Sequence, residues 1–124
     1  MKQIADFMTR QPWTVLLDDS LAVARRMIAE REIRHLPVLD GRRVVGMITE
    51  RELAGSFDRM GTVADVMVPA HRVDAETPFG DVLDAMTTNR WDAVVVLGGE
   101  HVEGIFTETD AVRVLRDLVT EVSP

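Results

Sequence analysis

A short acidic turn that occurs twice in the sequence carries the residues best suited to bind a ligand. GIFTETD (residues 104–110) closely repeats GMITERE (residues 46–52), 58 positions further along the chain. In the first copy Thr49 and Glu52 have the spacing of a capping box, in which both side chains bond to free amides at a helix start. For any isolated Thr-x-x-Glu, that structural role is the favoured interpretation.

The second copy ends in Asp110, which suggests a different role. Aspartate is one methylene shorter than glutamate, so we expect Asp110 to cap its helix less well and to point outward. There its carboxylate would accept hydrogen bonds from two neighbouring hydroxyls. Thr107, with the free amides of Glu108 and Thr109, makes a helix start suited to a phosphate. A ribose diol beside a phosphate fits this pair of features.

No other pattern in the sequence indicates catalysis or metal binding. The chain has no cysteine, and its three histidines lie on separate predicted strands without ligand spacing. It contains no Gly-x-Ser-x-Gly, Walker loop or dinucleotide fingerprint, and no nucleophile with a base beside it. We therefore expect no metal, no cofactor and no enzymatic activity.

The charge balance limits the classes of partner. The 124 residues include 14 basic and 21 acidic side chains, a net charge of −7. Nucleic acids and anionic membranes require a basic surface, so neither is an expected partner. No apolar run approaches the roughly 20 residues that span a bilayer, and the N-terminus does not resemble a signal peptide. A cytoplasmic location is expected.

The paired turns belong to a duplication of most of the chain. IADFM (residues 4–8) recurs as VADVM (residues 63–67), and residues 21–54 match residues 79–112 without a gap. Identical pairs cluster at turns and strand centres, which chance does not explain. We therefore divide the chain into a first copy, residues 1–58, and a second copy, residues 59–124.

Each copy is predicted to form a strand, a helix, two strands and a second helix. In the first copy TVLL is a short strand, and Asp19 or Ser20 caps a helix with apolar residues at helical spacing. HLPVL and RVVGMI then form a hairpin through residues 40–41, an Asp-Gly pair.

The second copy follows the same order. Thr77 is the expected cap with Pro78 in the first helical position, the hairpin turns at residues 98–99, and the last helix runs from Glu108 to about Val119. Strands joined by a crossover helix should pair in parallel, with the hairpin strand antiparallel. The expected fold is α/β (α+β), with two β-α-β-β-α repeats packed by a pseudo-two-fold.

The doubled pattern resembles a tandem pair of CBS motifs, the module named after cystathionine β-synthase. The resemblance is carried by ADFM and ADVM, by IRHLPVLDGRRVVGMITERELA and by VVVLGGEHVEGIFTETDAV, and it covers nearly the whole chain. Such pairs are regulatory modules that bind adenosine-containing ligands, including AMP, ADP, ATP and S-adenosylmethionine, in clefts between the repeats. The resemblance also implies a homodimer.

The resemblance implies specific ligand contacts. Asp110 corresponds to the family's ribose-binding aspartate and Thr107 to its phosphate-facing hydroxyl, with Thr109 at the same helix start. The positions expected to line the adenine are Val73, Ala93 or Val94, and Ile105. Arg51 of the first copy is expected to reach across to the phosphate.

Both copies depart from the family pattern. Glu52 replaces the aspartate in the first copy, and the bulky Trp13 stands where it would fill the adenine slot. We therefore expect one working site, in the second copy. There Asp92 stands where the first copy has Arg34, which favours a monophosphate or a phosphate-free ligand.

Two functions remain open. The favoured one is a stand-alone, non-catalytic sensor of an adenosine nucleotide, read by an unidentified protein partner. The alternative is a structural interaction module that binds no ligand and acts through its dimer face.

Overall fold

The computed structural model describes residues 1–55 and 60–122 and contains two compact units. The repeat-one unit is Pro12–Ala70, and the repeat-two unit joins Met1–Gln11 to His71–Pro124. In chain order the elements are a 3-10 helix (Ile4–Asp6), β1 (Thr9–Arg10), β2 (Val15–Leu16), α1 (Leu21–Arg31), β3 (His35–Asp40), β4 (Arg43–Thr49), α2 (Glu50–Ala54), α3 (Val63–Val66), β5 (Arg72–Asp74), α4 (Phe79–Asn89), β6 (Ala93–Gly98), β7 (His101–Thr107) and α5 (Glu108–Val122).

The repeat-one unit contains a three-stranded sheet in the order β2-β3-β4. β2 pairs in parallel with β3, and β3 pairs antiparallel with β4. The predicted topology is therefore confirmed here. The apolar side chains that alternate along the strands and recur along α1 form one core, made of Val15, Leu21, Ala24, Ile28, Leu36, Val38, Ile48, Leu53 and Val63.

The repeat-two unit contains the equivalent strands and one more. Its sheet has the order β1-β7-β6-β5, with β5 parallel to β6 and β7 antiparallel to β6. The added strand β1 pairs antiparallel with the outer side of β7. Its core is formed by Ile4, Met8, Val82, Met86, Val94, Val96 and Phe106.

Several element boundaries differ from prediction by a residue or a turn. Strand pairing continues to Asp40 and Arg43, so the hairpin turns one residue later than expected, with Gly41 at φ 62°. A positive φ suits glycine, which has no Cβ to clash. The α4 cap is Pro78, not Thr77, because Pro78 keeps an extended ψ of 136°. Ser20 caps α1 as predicted, whereas α5 continues to Val122.

The first eleven residues fold onto the second copy of the repeat. The Ile4 amide donates to the carbonyl of Thr77 at 2.9 Å, and the Phe79 amide donates to the carbonyl of Lys2 at 2.9 Å. The rings of Phe7 and Phe79 stack with centroids 4.1 Å apart. The repeat in the sequence and the compact units are thus different divisions of the chain, because the lead-in segments, 1–11 and 59–70, join the unit of the other copy.

Two repeated glycines let these segments approach the sheets. A Cβ on Gly104 would lie 2.7 Å from the carbonyl oxygen of Thr9, and one on Gly46 would lie 3.0 Å from that of Val68. The first distance is shorter than real Cβ contacts and the second is at the limit, so a side chain at either position would require the neighbouring segment to shift. In both units the backbone that passes close to the glycine belongs to a lead-in segment.

Candidate functional site

Asp110 lies in the first turn of α5, directly after β7 ends at Thr107. It is 7% exposed, and no other polar or charged residue is buried in residues 1–55 and 60–122. Burying a carboxylate costs free energy unless donors surround it. The contacts of Asp110 therefore decide what this turn can do.

One oxygen of Asp110 closes a capping box. The Thr107 amide donates to Asp110 Oδ2 at 3.0 Å, and the Thr107 hydroxyl donates to the same oxygen at 3.1 Å. The Asp110 amide donates back to Thr107 Oγ1 at 3.2 Å. The prediction that Asp110 turns outward because it is too short to cap was wrong.

The predicted capping box in the first copy is confirmed. The amide and the hydroxyl of Thr49 donate to Glu52 Oε1 at 2.8 Å and 2.7 Å. An aspartate also closes a capping box at the start of α3, where the amide of Thr62 donates to Asp65 Oδ2 at 2.9 Å. A missing methylene does not prevent capping because the first helical turn already brings the third residue close to the cap.

The second oxygen of Asp110 accepts from side chains outside the capping box. Arg113, one turn along α5, donates from Nη1 to Oδ1 at 3.0 Å. The hydroxyl of Thr9 on β1 donates to the same oxygen at 3.4 Å. The guanidinium compensates the buried charge, although its side chain is 54% exposed and solvent weakens the pair.

Among the described residues, 1–55 and 60–122, the first copy shows no equivalent of this cluster. Both bonds between Thr49 and Glu52 use Oε1. In the repeat-two unit Thr9 pairs with Ile105. In the repeat-one unit the residue equivalent to Ile105 is Met47, and its partner Val68 has no hydroxyl. The repeat offset places Gly55 where the second copy has Arg113. The two acids therefore differ in their surroundings more than in their reach.

Six of the other predicted contact residues also lie in the repeat-two unit. Ala93 pairs with Thr107 across the sheet, and Ile105 is 7% exposed on β7. Val94 belongs to the apolar core, and the half-buried Val73 packs against that core. Thr109 is exposed in the first turn of α5. Ala93 and Thr107 lie at the end of the β6–β7 pair from which α5 begins.

Two further residues predicted to matter belong to the repeat-one unit. Arg51 is exposed on α2, where its amide donates to Thr49 Oγ1 at 3.2 Å. Its proposed reach toward a phosphate remains a prediction. Trp13 is 49% exposed, with the guanidinium carbon of Arg31 4.0 Å from its ring centroid. That distance is in the range of a cation–π contact.

Sequence reasoning missed both partners of Asp110 Oδ1. Arg113 stands three residues after Asp110, a spacing that favours an ion pair on a helix and was detectable. Thr9 stands 101 residues before Asp110, and no local pattern links them. Only the pairing of β1 with β7 brings the hydroxyl to the acid.

Comparison with known proteins identifies the family. The CBS domain model matches residues 4–58 and, a second time, residues 63–117. The chain belongs to the CBS domain family. Both matches contain a capped turn, with Thr49 in the first and Thr107 in the second.

Solved structures support the same fold. The chain matches, with a TM-score of 0.89 and 24% identity, a Vibrio cholerae protein provisionally assigned to acetoin utilization (AcuB), covering 100% of this chain and 99% of that one. It also matches the CBS domain pair of protein MJ0100 in complex with 5′-methylthioadenosine and S-adenosyl-L-methionine. There the TM-score is 0.83 and the identity 24%, over 92% of this chain and 99% of that one.

Among curated sequences, the chain is 25% identical over 117 residues to an A-adding tRNA nucleotidyltransferase of Geobacter sulfurreducens. The match covers 91% of this chain but 13% of that protein's length. In the described part of the chain, no helix is both long and apolar enough to cross a membrane.

Proposed function

We propose that this CBS pair is a non-catalytic regulatory module that binds an adenosine-containing ligand through Asp110. The observation that carries the proposal is the burial of this carboxylate, with one oxygen committed to the helix cap and the other directed to side chains beyond it. Buried charged groups with specific partners occur often at functional sites. Asp65, which closes a similar box, is exposed.

The geometry suits a sugar diol. Asp110 Oδ2 is held by Thr107, so the carboxylate has a fixed orientation before any ligand arrives. Oδ1 already accepts from one hydroxyl, that of Thr9, across 3.4 Å. Because hydroxyl-to-oxygen bonds are normally 2.5–3.0 Å long, this one is weak and a ribose hydroxyl can replace it at little cost.

The fold and the family support the proposed ligand class. The MJ0100 pair binds 5′-methylthioadenosine and S-adenosyl-L-methionine, which both contain a ribose. Ala93, beside Thr107 on the neighbouring strand, and Ile105 are the small and apolar residues that we propose lie nearest the adenine. Asp92, which stands in place of an arginine, favours a ligand with one phosphate or none.

We further propose that the module forms a homodimer through α5. Four apolar side chains of this helix are between 55% and 66% exposed: Val112, Leu115, Leu118 and Val119. A contiguous apolar surface of this kind marks a contact site. A second copy of the chain presents the same surface, so the two helices can cover each other.

A second candidate function is an interaction module that binds no nucleotide. This function is favoured by the hydrogen bonds of the Asp110 carboxylate, which accepts four of them from the protein itself. A carboxylate satisfied in this way needs no ligand to offset its burial. In that case the exposed face of α5 carries the function alone.

Calorimetric titration of the whole chain with AMP, ADP, ATP and S-adenosylmethionine separates the two candidates. We expect saturable binding by at least one ligand, loss of binding in Asp110→Ala, and retained binding in Glu52→Ala. Asp65→Ala is the matched control, because it removes an equivalent capping acid from an exposed turn. The temperature of thermal unfolding should rise with the same ligand, since binding to the native state raises apparent stability.

The absence of binding by every ligand at millimolar concentration would favour the interaction module. Equal loss of binding in Asp110→Ala and Glu52→Ala would contradict the single-site assignment. If Asp65→Ala also lost binding, the effect of Asp110→Ala would reflect capping and not ligand contact.

A further inference from the structure

We infer that Thr9 competes with the ligand for Asp110 Oδ1, so that the N-terminal segment senses whether the site is occupied. This inference rests on the proposed function. Thr9 would help to set the ligand affinity although it lies outside the Gly-x-x-Thr-x-x-Asp turn, 101 positions before Asp110.

Backbone pairing fixes the position of the Thr9 side chain. Thr9 is the partner of Ile105, and Arg10 is the partner of Gly104, in an antiparallel ladder. The ladder extends to Gln11, whose amide donates to the carbonyl of Glu103 at 3.2 Å. The close approach at Gly104 leaves the hydroxyl of Thr9 facing the carboxylate at the start of α5.

Of the four bonds to the Asp110 carboxylate, the one from Thr9 is the weakest. It is 3.4 Å long, whereas the other three are between 3.0 Å and 3.1 Å. Two of those three hold the helix start together, and the third is charge-assisted. A ribose hydroxyl that approaches Oδ1 therefore displaces Thr9 before Thr107 or Arg113.

The chain itself shows that the hydroxyl is dispensable for the fold. At the equivalent edge of the repeat-one unit, Val68 forms backbone bonds with Met47 at 2.8 Å and 2.9 Å. A valine is thus accommodated in this backbone setting. Thr9→Val keeps the branched shape and the backbone pairing and removes only the competing donor.

Displacement has a consequence for β1. Without the bond to Asp110, Thr9 retains its strand pairing but loses its only side-chain link to α5 among the contacts of the described residues. β1 is two residues long, so its pairing with β7 depends on few backbone bonds. Ligand binding should therefore increase amide hydrogen exchange in residues 9–11.

The test compares the wild-type chain with Thr9→Val and Thr9→Ser. Each is titrated by calorimetry with the nucleotide that the wild type binds, chosen from AMP, ADP, ATP and S-adenosylmethionine. We expect Thr9→Val to bind about two- to threefold more tightly, the low end of what one displaced hydrogen bond is worth, because this bond is long. Thr9→Ser, which keeps the hydroxyl, should restore wild-type affinity.

Hydrogen exchange followed by mass spectrometry supplies the second measurement. The ligand-dependent rise in exchange at residues 9–11 should be present in the wild type and in Thr9→Ser, and absent in Thr9→Val. Equal or weaker binding by Thr9→Val, with an unchanged exchange response, would overturn the role of Thr9 while leaving the proposed function intact. Absence of binding by the wild type would overturn both.

Discussion

At the residue scale, four helix starts among residues 1–55 and 60–122 have a cap residue whose amide donates to an acid three positions later. The acids are Asp6, Glu52, Asp65 and Asp110, and each accepts from the amide of its cap residue at 2.8–3.0 Å. Of these, Asp110 is buried, while Asp6 and Asp65 are exposed and Glu52 is half-buried. The spacing is therefore typical of a helix start, and burial distinguishes the candidate ligand acid.

The glycines of the repeated turn give a stability prediction at this scale. Gly104→Ala should lower the free energy of unfolding by about 1–3 kcal/mol, because its Cβ would lie 2.7 Å from the Thr9 carbonyl oxygen and β1 would have to move. Gly46→Ala should cost less, since the matching distance to Val68 is 3.0 Å. Chemical denaturation measures both.

Gly80→Ala is the control for these variants. No atom lies within 4 Å of a Cβ at this helical position, so alanine should leave stability unchanged or raise it by up to about 1 kcal/mol. If Gly104→Ala matched Gly80→Ala, the close approach of the N-terminal segment would not be a constraint on the fold.

At the element scale, the N-terminal segment completes the repeat-two unit. Ile4 is fully buried in that core, and Phe7 stacks on Phe79. The edge of β7 that β1 covers would otherwise leave backbone groups unpaired. The segment precedes the first copy in sequence and yet contributes core and sheet to the second.

Ile4→Ala tests this assignment. Removing a fully buried isoleucine should destabilise the repeat-two unit by about 2–5 kcal/mol. Amide exchange should accelerate more in β6 and β7 than in β3 and β4. Lys2→Ala, at an exposed position of the same segment, should change neither region. Equal acceleration in both sheets would contradict a local role for the segment.

At the scale of the whole molecule, α5 carries the surface through which we propose that the chain self-associates. The chain carries a net charge of −7, so two copies repel each other unless apolar contact compensates. Val112, Leu115 and Val119 repeat at the spacing of one helix face and are exposed. The proposed homodimer places these faces against each other.

Leu115→Asp should convert the dimer to a monomer, with a dissociation constant raised about a hundredfold or more, because burying an unpaired charge in the contact is costly. Analytical ultracentrifugation of the wild type and the variant measures the change. Asp117→Lys, on the opposite side of α5, should leave the assembly intact. A wild-type chain that sediments as a monomer at all concentrations would exclude this interface.

The amino-acid sequence by itself determined the repeat, the strand-helix-strand-strand-helix order of each copy, and the parallel and antiparallel pairings of those strands, but not β1 or its pairing with β7. These features depend on local patterns, such as the apolar spacing of α1, the Ser20 cap and the glycine that begins each hairpin turn. Local patterns also predicted that Thr49 and Glu52 form a capping box. The same reasoning failed for Asp110, because the reach of a side chain was weighed without its surroundings.

Tertiary structure decided what surrounds Asp110 and which segments belong together. The bond from Thr9 and the crowding at Gly104 depend on β1 lying beside β7, which is far away in sequence. In the same way, each lead-in segment joins the unit formed by the other copy. Such contacts follow from how the whole core closes, and no short stretch of residues encodes them. The acid was visible in the sequence, whereas its burial and its partners were products of the fold.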